Sequence, residues 1–553
     1  MKLRMPVGMD DFADVREDCY FVDKTPFLRS FLKNHAKVTL FTRPRRFGKT
    51  LTLSMMRYFL DTCGAEKHRR LFDGLAIAEG AEAMAAQGSR PVLFLTLKEW
   101  GRISWELQQE SIRLRLGDLF SQYDFLLRDD LKARDRKIFQ TVLDGDGELT
   151  LYSDALTFLL RLLEEHYGRK AVLLIDEYDA PVQAAWEHGY YKESIDFFRR
   201  FLSGALKTNP ALDFAVLTGV LRIAKENIFS ALNNLRVDSV LDTKYPEAFG
   251  FTPEDVAQMA RDFGREEKLL EIERWYDGYR FAGREIYNPW SVINYFDNDC
   301  RPNAYWVNTS GNAILGEMLR HAKRTTMDGI TEVLQGGSVQ AVVDEGFIYS
   351  EIYRNQNALY TMLVTTGYLT TESVTDTGLG QEAVLVLPNR EIQSLYRREV
   401  VYRYRSDDMD IELIDLMRAF AAGDIETVRE GLQEYLEVLT SSFDAAKGKE
   451  AFYHGFVLGL TATLIGDYAI RSNRESGYGR YDIAAFPRQP SGHGIVIECK
   501  TAESEDALAK EAQGALAQIA EKDYLAELRA QGVEEVLQYG IAFCGKRVQV
   551  EMA

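Results

Sequence analysis

A chain of 553 residues is too long for one ordinary core; at roughly 100–200 residues per domain it holds about three to five. Its formal net charge of −18 excludes a surface that binds polyanions everywhere, so any nucleic-acid contact needs a local basic groove or a divalent metal offsetting carboxylates. Five scattered cysteines without a CxxC pair indicate neither a disulfide scaffold nor a zinc site. The sequence MKLRMPVGMDDF has no apolar signal core, and no run reaches the roughly 18 apolar residues of a membrane span. A cytoplasmic protein with no membrane contact is expected.

Residues 1–245 alternate short apolar runs with amphipathic helical stretches. Val38–Thr42, Val92–Leu97, Ala171–Ile175 and Phe214–Thr218 read as strands of a parallel sheet covered on both faces. Leu151–His166 and Lys192–Leu206 read as helices between them, the βαβ rhythm of an α/β domain. The first strand runs into Arg43-Pro44-Arg45-Arg46-Phe47-Gly48-Lys49-Thr50 and a helix with Leu51, Met55 and Tyr58 on one face. A strand, a tight loop and a helix N-terminus make a phosphate cradle, with backbone N–H groups facing the phosphates. Lys49 would reach the β/γ-phosphates and Thr50 would ligate Mg²⁺. Arg43 stands where the GxxxxGK[ST] pattern begins with Gly, so only its Gly48-Lys49-Thr50 half is intact. Arg43, Arg45 and Arg46 are open to two readings, a phosphate clamp or a basic patch.

The run Ala171-Val172-Leu173-Leu174-Ile175-Asp176-Glu177 ends a strand in two carboxylates, the Walker B arrangement. Asp176 would hold Mg²⁺ through water and Glu177 would polarise the attacking water; the alternative is a solvated acidic turn. Thr218, at the tip of another strand, can sense the γ-phosphate. Arg222 and Lys225 follow it, and Arg222 can serve as a charge-stabilising sensor or finger, within a subunit or between subunits of a homo-oligomer; the alternative is a surface cation.

Beyond Pro246, Thr252-Pro253-Glu254-Asp255 marks a helix start with Thr as N-cap and Pro at the first position. A mostly helical region, 246–320, is interrupted by Tyr276-Asp277-Gly278-Tyr279 and Tyr287-Asn288-Pro289-Trp290 and reads as a lid. Residues 321–405 end in short strands, Tyr368-Leu369-Thr370 and Ala383–Leu387, and read as a winged-helix-like region. Residues 406–445 read as a helical connector, and 446–553 as a final α/β unit.

In that last unit Asp482 opens a strand, Asp482–Phe486, and Glu498 and Lys500 share one face of the next, Ile495–Lys500, while Cys499 points to the other. Two carboxylates at a hairpin's open end can bind Mg²⁺ or Mn²⁺, and Lys500 can orient or deprotonate water for in-line attack on phosphorus. The alternative is an exposed hairpin with ordinary charges. Glu450 and Glu475 are further acidic candidates. Gln513, Gln518, Lys522 and Tyr524 lie on or just after the following helix, where an amide can position Lys500 or a phosphate. His454 reads as a packed or capping histidine rather than a catalyst.

The chain resembles the bacterial AAA-ATPase-like proteins that carry a C-terminal PD-(D/E)XK nuclease-superfamily domain. The resemblance rests on Tyr20-Phe21-Val22-Asp23-Lys24-Thr25, FTRPRRFGKTLTLSM, LLIDEYDAPV, LTGVLRIAKENIFSALNNL, Tyr287-Asn288-Pro289-Trp290, Ala451-Phe452-Tyr453-His454-Gly455, GRYD…IECK and AQGALAQIAEKDY. That family's loop looks like RPRRFGKT too. The resemblance implies a P-loop ATP-binding domain using Lys49, Thr50, Asp176 and Glu177. It also implies a restriction-endonuclease-like core using Asp482, Glu498 and Lys500, with Gln518 as the helix amide. The expected activity is ATP-regulated, Mg²⁺-dependent cleavage of nucleic acid, DNA before RNA. The competing expectation is an ATP-driven signalling switch or scaffold whose C-terminal fold binds nucleic acid without cutting.

Overall fold

A computed structural model describes residues 4–222, 234–306, 324–334, 336–344, 355–377, 380–403, 413–439, 450–461, 467–477, 479–489 and 492–553, with isolated positions between. The chain forms two compact units, Met1–Thr309 with Val339–Ile392, and Ser310–Ser338 with Gln393–Ala553.

The first unit is built on a five-stranded parallel sheet. Its strands are β1 (Val38–Thr42), β2 (Val92–Thr96), β3 (Ala171–Asp176), β4 (Leu212–Gly219) and β5 (Leu235–Asp238), in the order β2-β3-β4-β1-β5. β1 and β3 are buried along their whole length, as strands covered on both faces must be. β4 lies between β1 and β3, and the register sets Phe41 beside Thr218 and Ile175 beside Leu217. The carboxyl ends of β1, β3 and β4 therefore open together, where open α/β sheets bind their ligands. The expected helix Leu151–His166 is two helices, Leu149–Ser153 and Ala155–Tyr167, broken at Asp154. An aspartate competes for backbone hydrogen bonds and favours such a break.

Helix Pro253–Asp262 begins with the full capping box: Thr252 Oγ1 accepts from Asp255 N, and Asp255 accepts from Thr252 N. It shares a core with helices Leu269–Tyr276 and Pro289–Asp297 through Val256, Met259, Ile272, Val292 and Tyr295. The two interruptions of the helical region flank an antiparallel hairpin, β6 (Tyr279–Phe281) and β7 (Arg284–Ile286). Gly278, at φ +100°, is required there because a Cβ would lie 1.8 Å from the carbonyl oxygen of Pro388. A three-stranded antiparallel sheet follows, in the order β8 (Val339–Val343), β10 (Gln381–Val386), β9 (Thr370–Asp376). Tyr368 and Leu369 precede β9 rather than lie in it.

The second unit carries five strands paired in sequence order: β11 (Tyr468–Ser476), β12 (Gly479–Pro487), β13 (Gly494–Thr501), β14 (Val536–Cys544) and β15 (Arg547–Met552). Only β13 and β14 run parallel, joined through helix Leu508–Glu521. That helix lies close on the sheet because β14 has Gly540, where a Cβ would sit 2.2 Å from Ala512 O. Helices Leu413–Ala422 and Ile425–Leu439, in the stretch expected as a connector, pack on this sheet. Tyr539 donates to Phe420 O at 2.8 Å, and Gln433 Nε2 donates to Lys546 O at 2.7 Å.

Candidate functional sites

The loop after β1 curls around its own lysine. Lys49 Nζ donates to the carbonyls of Arg43 (2.9 Å) and Pro44 (2.8 Å). The curl needs left-handed backbone at Arg46 (φ +70°) and Gly48 (φ +81°), and Gly48 then starts helix Lys49–Leu60. Thr50 Oγ1 donates to Asp176 Oδ2 at 2.7 Å, and Thr218 Oγ1 donates to Asp176 Oδ1 at 2.5 Å. One hydroxyl from the loop helix and one from the middle strand thus hold both oxygens of the β3 carboxylate. Glu177 follows at φ +51°. Burial pushes Lys49 down to about 8, against the pull of the Glu177, Asp176 and Asp179 carboxylates. Burial raises the Glu177 carboxyl, Asp176 raises it further, and Lys49 opposes both.

These residues fit a magnesium nucleotide: an ammonium within a ring of loop backbone, a helix N-terminus, and a hydroxyl meeting a carboxylate where Mg²⁺ is held. Thr218 is fully buried with its hydroxyl on Asp176, so it orients the carboxylate. Arg222 is half-buried, three residues past the end of β4, and Lys225 lies outside the described residues.

The three loop arginines have three different fates. Arg43 is neither phosphate clamp nor surface patch: it is fully buried and paired with buried Asp238 of β5 at 2.7 Å. It also donates to the carbonyls of Thr42, Asp238 and Tyr245, and lies over the rings of Phe249 and Phe281. Its position places it one step past β1, directly beside β5, so the guanidinium closes the sheet edge. Arg45 reaches Gln183 Oε1 at 3.3 Å. The Arg46 guanidinium stacks on the Trp290 indole, 4.0 Å from its centroid. Later residues wall the loop on this side: Phe47 meets the rings of Tyr279 and Phe281, and Trp306 Nε1 donates to Arg45 O.

The second centre lies where β12 and β13 part. Their ladder runs from Ala485–Ile495 to Ile483–Ile497, and one further step sets Asp482 opposite Glu498. Asp482 Oδ2 accepts from Cys499 N at 2.8 Å, while Asp482 N donates to Glu498 Oε2 at 3.3 Å. Gln518 Nε2, from helix Leu508–Glu521, donates to Glu498 Oε1 at 2.5 Å and to Tyr524 OH at 3.1 Å. Lys500 lies two residues beyond Glu498 on the same face, with Nζ 3.6 Å from where a Cβ on Gly514 would be. The structure thus joins Asp482, Glu498 and Gln518 directly and sends Lys500 toward the helix. Gln513 and Lys522 are exposed. His454 Nε2 sits 3.1 Å from both Asp482 O and Ser472 Oγ, a buried contact that steadies the strand. The Glu450 and Glu475 side chains lie outside the described residues.

Burial raises the Asp482 carboxyl, with Cys499 N–H and His454 opposing. Among the described residues no cluster of three or more His, Cys, Asp or Glu forms a metal cage. The two adjacent carboxylates suit a cation such as Mg²⁺, which keeps most of its waters and takes few protein ligands.

Two family models match the stretches of chain that hold these centres. A model described as "Predicted AAA-ATPase" matches residues 6–229, and one for the PD-(D/E)XK nuclease superfamily matches residues 448–552. Residues 6–229 thus match an AAA-ATPase-like domain and residues 448–552 a PD-(D/E)XK nuclease-superfamily domain. It is also similar to a protein of Azotobacter chroococcum mcd 1 described as "Uncharacterized protein in vnfD 5'region". The two are 26% identical over 563 residues, covering 98% of this chain and 96% of that protein. Within the first unit, sequence reasoning missed Asp179, Asp238 and Trp290. Trp290 stood in a noticed motif, but the partners that give all three meaning come from distant strands and loops.

Among the described residues no helix is long and apolar enough to cross a membrane.

Proposed function

We propose that this chain is an ATP-binding and ATP-hydrolysing protein whose nucleotide state regulates divalent-metal-dependent cleavage of nucleic acid, with DNA as the expected substrate. The observation that carries the reading is the Asp482–Glu498–Gln518 clasp in a chain that also holds the Thr50–Asp176–Thr218 constellation. In the first centre, Lys49 and the loop N–H groups bind phosphate, and Thr50 and Asp176 would hold Mg²⁺. Arg46 and Arg222 are the cations available to the γ-phosphate. Glu177 polarises water, its carboxyl lifted by burial toward the range in which a general base works.

In the second centre, Asp482 and Glu498 would hold Mg²⁺ or Mn²⁺. The ion would supply charge neutralisation at phosphorus and a more acidic bound water. Gln518 fixes the Glu498 carboxylate, and Lys500 orients the attacking water or takes its proton. In this reading residues 1–245 are the ATPase, 246–320 its lid, 321–405 a winged-helix-like region, 406–445 a connector and 446–553 the nuclease. Gating requires that ATP bind the two nuclease states with different affinity.

The test is full-length protein with supercoiled plasmid, linear single-stranded DNA and RNA, in Mg²⁺ or Mn²⁺, with ATP or a non-hydrolysable analogue. Cutting should be metal-dependent, lost in Asp482→Ala, and altered by nucleotide only when Lys49 is intact. Cutting that survives Asp482→Ala refutes the assigned centre. Nucleotide binding with no cutting under any condition replaces this reading with the non-cutting switch.

A further inference from the structure

The turn after β3 is stitched to the exit of β4 by contacts that the chemistry above does not use. Asp179 is buried at 3% exposure, and its Oδ2 accepts from both Val220 N and Leu221 N at 2.8 Å. Tyr178 N donates to Thr218 O at 3.0 Å, and Tyr178 OH donates to Leu221 O at 2.6 Å. Gly219 lets the two segments touch: a Cβ there would lie 2.6 Å from Tyr178 Cε1 and 2.7 Å from Asp179 Oδ1. Tyr178 and Asp179 directly follow Glu177, whose left-handed φ of +51° a side-chain-bearing residue rarely keeps unless its surroundings hold it. Val220 and Leu221 directly precede Arg222. The clasp therefore ties the carboxylate that polarises water to the strand end that carries Thr218 and Arg222.

We propose that Asp179 is a positioning residue for ATP hydrolysis, fixing Glu177 relative to Thr218 and Arg222 through the Val220 and Leu221 N–H groups. The inference rests on the ATP-hydrolysis reading given above. A displacement of about 1 Å in such a group can cost about 100-fold in rate. Asp179 hydrogen-bonds Val220 N and Leu221 N and acts on Lys49 only through its charge, so loss of the clasp should appear chiefly in kcat, and Asp179→Asn, which removes the same charge as Asp179→Ala, separates the two effects.

The experiment measures steady-state ATP turnover, equilibrium ATP affinity and the pH profile of full-length wild type, Asp179→Ala, Asp179→Asn, Gly219→Ala and the Asp179→Ala/Gly219→Ala double variant. Asp179→Ala should lower kcat about 10- to 100-fold with KM and affinity within about threefold of wild type. Asp179→Asn keeps an oxygen for both N–H groups and should recover most of the turnover. Gly219→Ala should reproduce the kcat loss, and the double variant should be no worse than the poorer single, since both open one clasp. If Asp179→Ala does not fold, Gly219→Ala decides by the same split. Unchanged kcat in Asp179→Ala or Gly219→Ala overturns the proposal. So does an Asp179→Asn as poor as alanine with a displaced pH profile, which would make the charge the active feature. A wild type that binds ATP without turnover removes the hydrolysis reading and this proposal with it, whereas failure of the variants alone leaves that reading standing.

Discussion

Removing the Arg43 side chain should damage the fold and spare nucleotide binding. The Arg43–Asp238 pair is 0% and 1% exposed, and the same guanidinium serves three backbone carbonyls. Arg43→Ala leaves the Asp238 carboxylate buried with its cationic partner gone. Breaking one side of such a pair costs about 3–5 kcal/mol, because the remaining charge stays desolvated. Replacing both ends with apolar groups, Arg43→Met with Asp238→Leu, removes both desolvation penalties but leaves the Thr42, Asp238 and Tyr245 carbonyls without this donor, so it should recover only part of the loss. Arg45→Ala, on a partly exposed side chain, should stay within about 0.5 kcal/mol. All six tryptophans lie within the Met1–Thr309 segment of the first unit, so urea unfolding followed by tryptophan emission reports that unit alone. ATP affinity of the folded variants is measured alongside. An Arg43→Ala protein that unfolds within about 1 kcal/mol of wild type but binds ATP tenfold or more weakly would refute the buried-pair reasoning and restore the phosphate clamp.

Burial pushes Lys49 down to about 8, and phosphates bound beside it favour its charged form. ATP affinity should therefore be flat below pH 8 and fall up to about tenfold per pH unit above it, with proton uptake visible by calorimetry in buffers of different ionisation enthalpy. Constant affinity up to pH 9.5 would contradict this. Glu391 is buried, accepts from Ser291 Oγ and Trp306 N, and is pushed by burial to about 7. Its folded value lies above its unfolded one, so the folded state loses stability as pH rises from about 4.5 through 7. Glu391→Gln should raise the melting temperature of the first unit at pH 8 more than at pH 5; an equal change at both would count against it. Gly540→Ala would place its Cβ against the backbone of helix Leu508–Glu521 and should destabilise the second unit by about 1–3 kcal/mol. It should also disturb the Gln518–Glu498 bond and slow any cleavage.

Much of both centres was legible because their residues sit at strand ends and helix starts, where short-range pattern is strongest. Lys49, Thr50 and Asp176 converge as their spacing implied, and so do Asp482 and Glu498. Arg43 was illegible because its burial depends on Asp238, in a four-residue edge strand too short to show a period. Asp179 was illegible because its partners are main-chain N–H groups about forty residues later, which no side-chain pattern reveals. The strand YAIRSNRES carries too many polar residues to read as a covered strand, yet it pairs along most of β12.

The wall formed by Tyr279, Phe281, Trp290 and Trp306 has a practical side. The family match to the ATPase ends at residue 229. A protein cut there would keep every motif of the cradle and lose Asp238, the rings facing Phe47 and Arg46, and the indole that holds Arg45 O. Arg43 would be left without its carboxylate and Phe47 would meet water. Such a fragment is the wrong object in which to look for the enzyme: an inactive preparation would speak to where the chain was trimmed and say nothing about its chemistry.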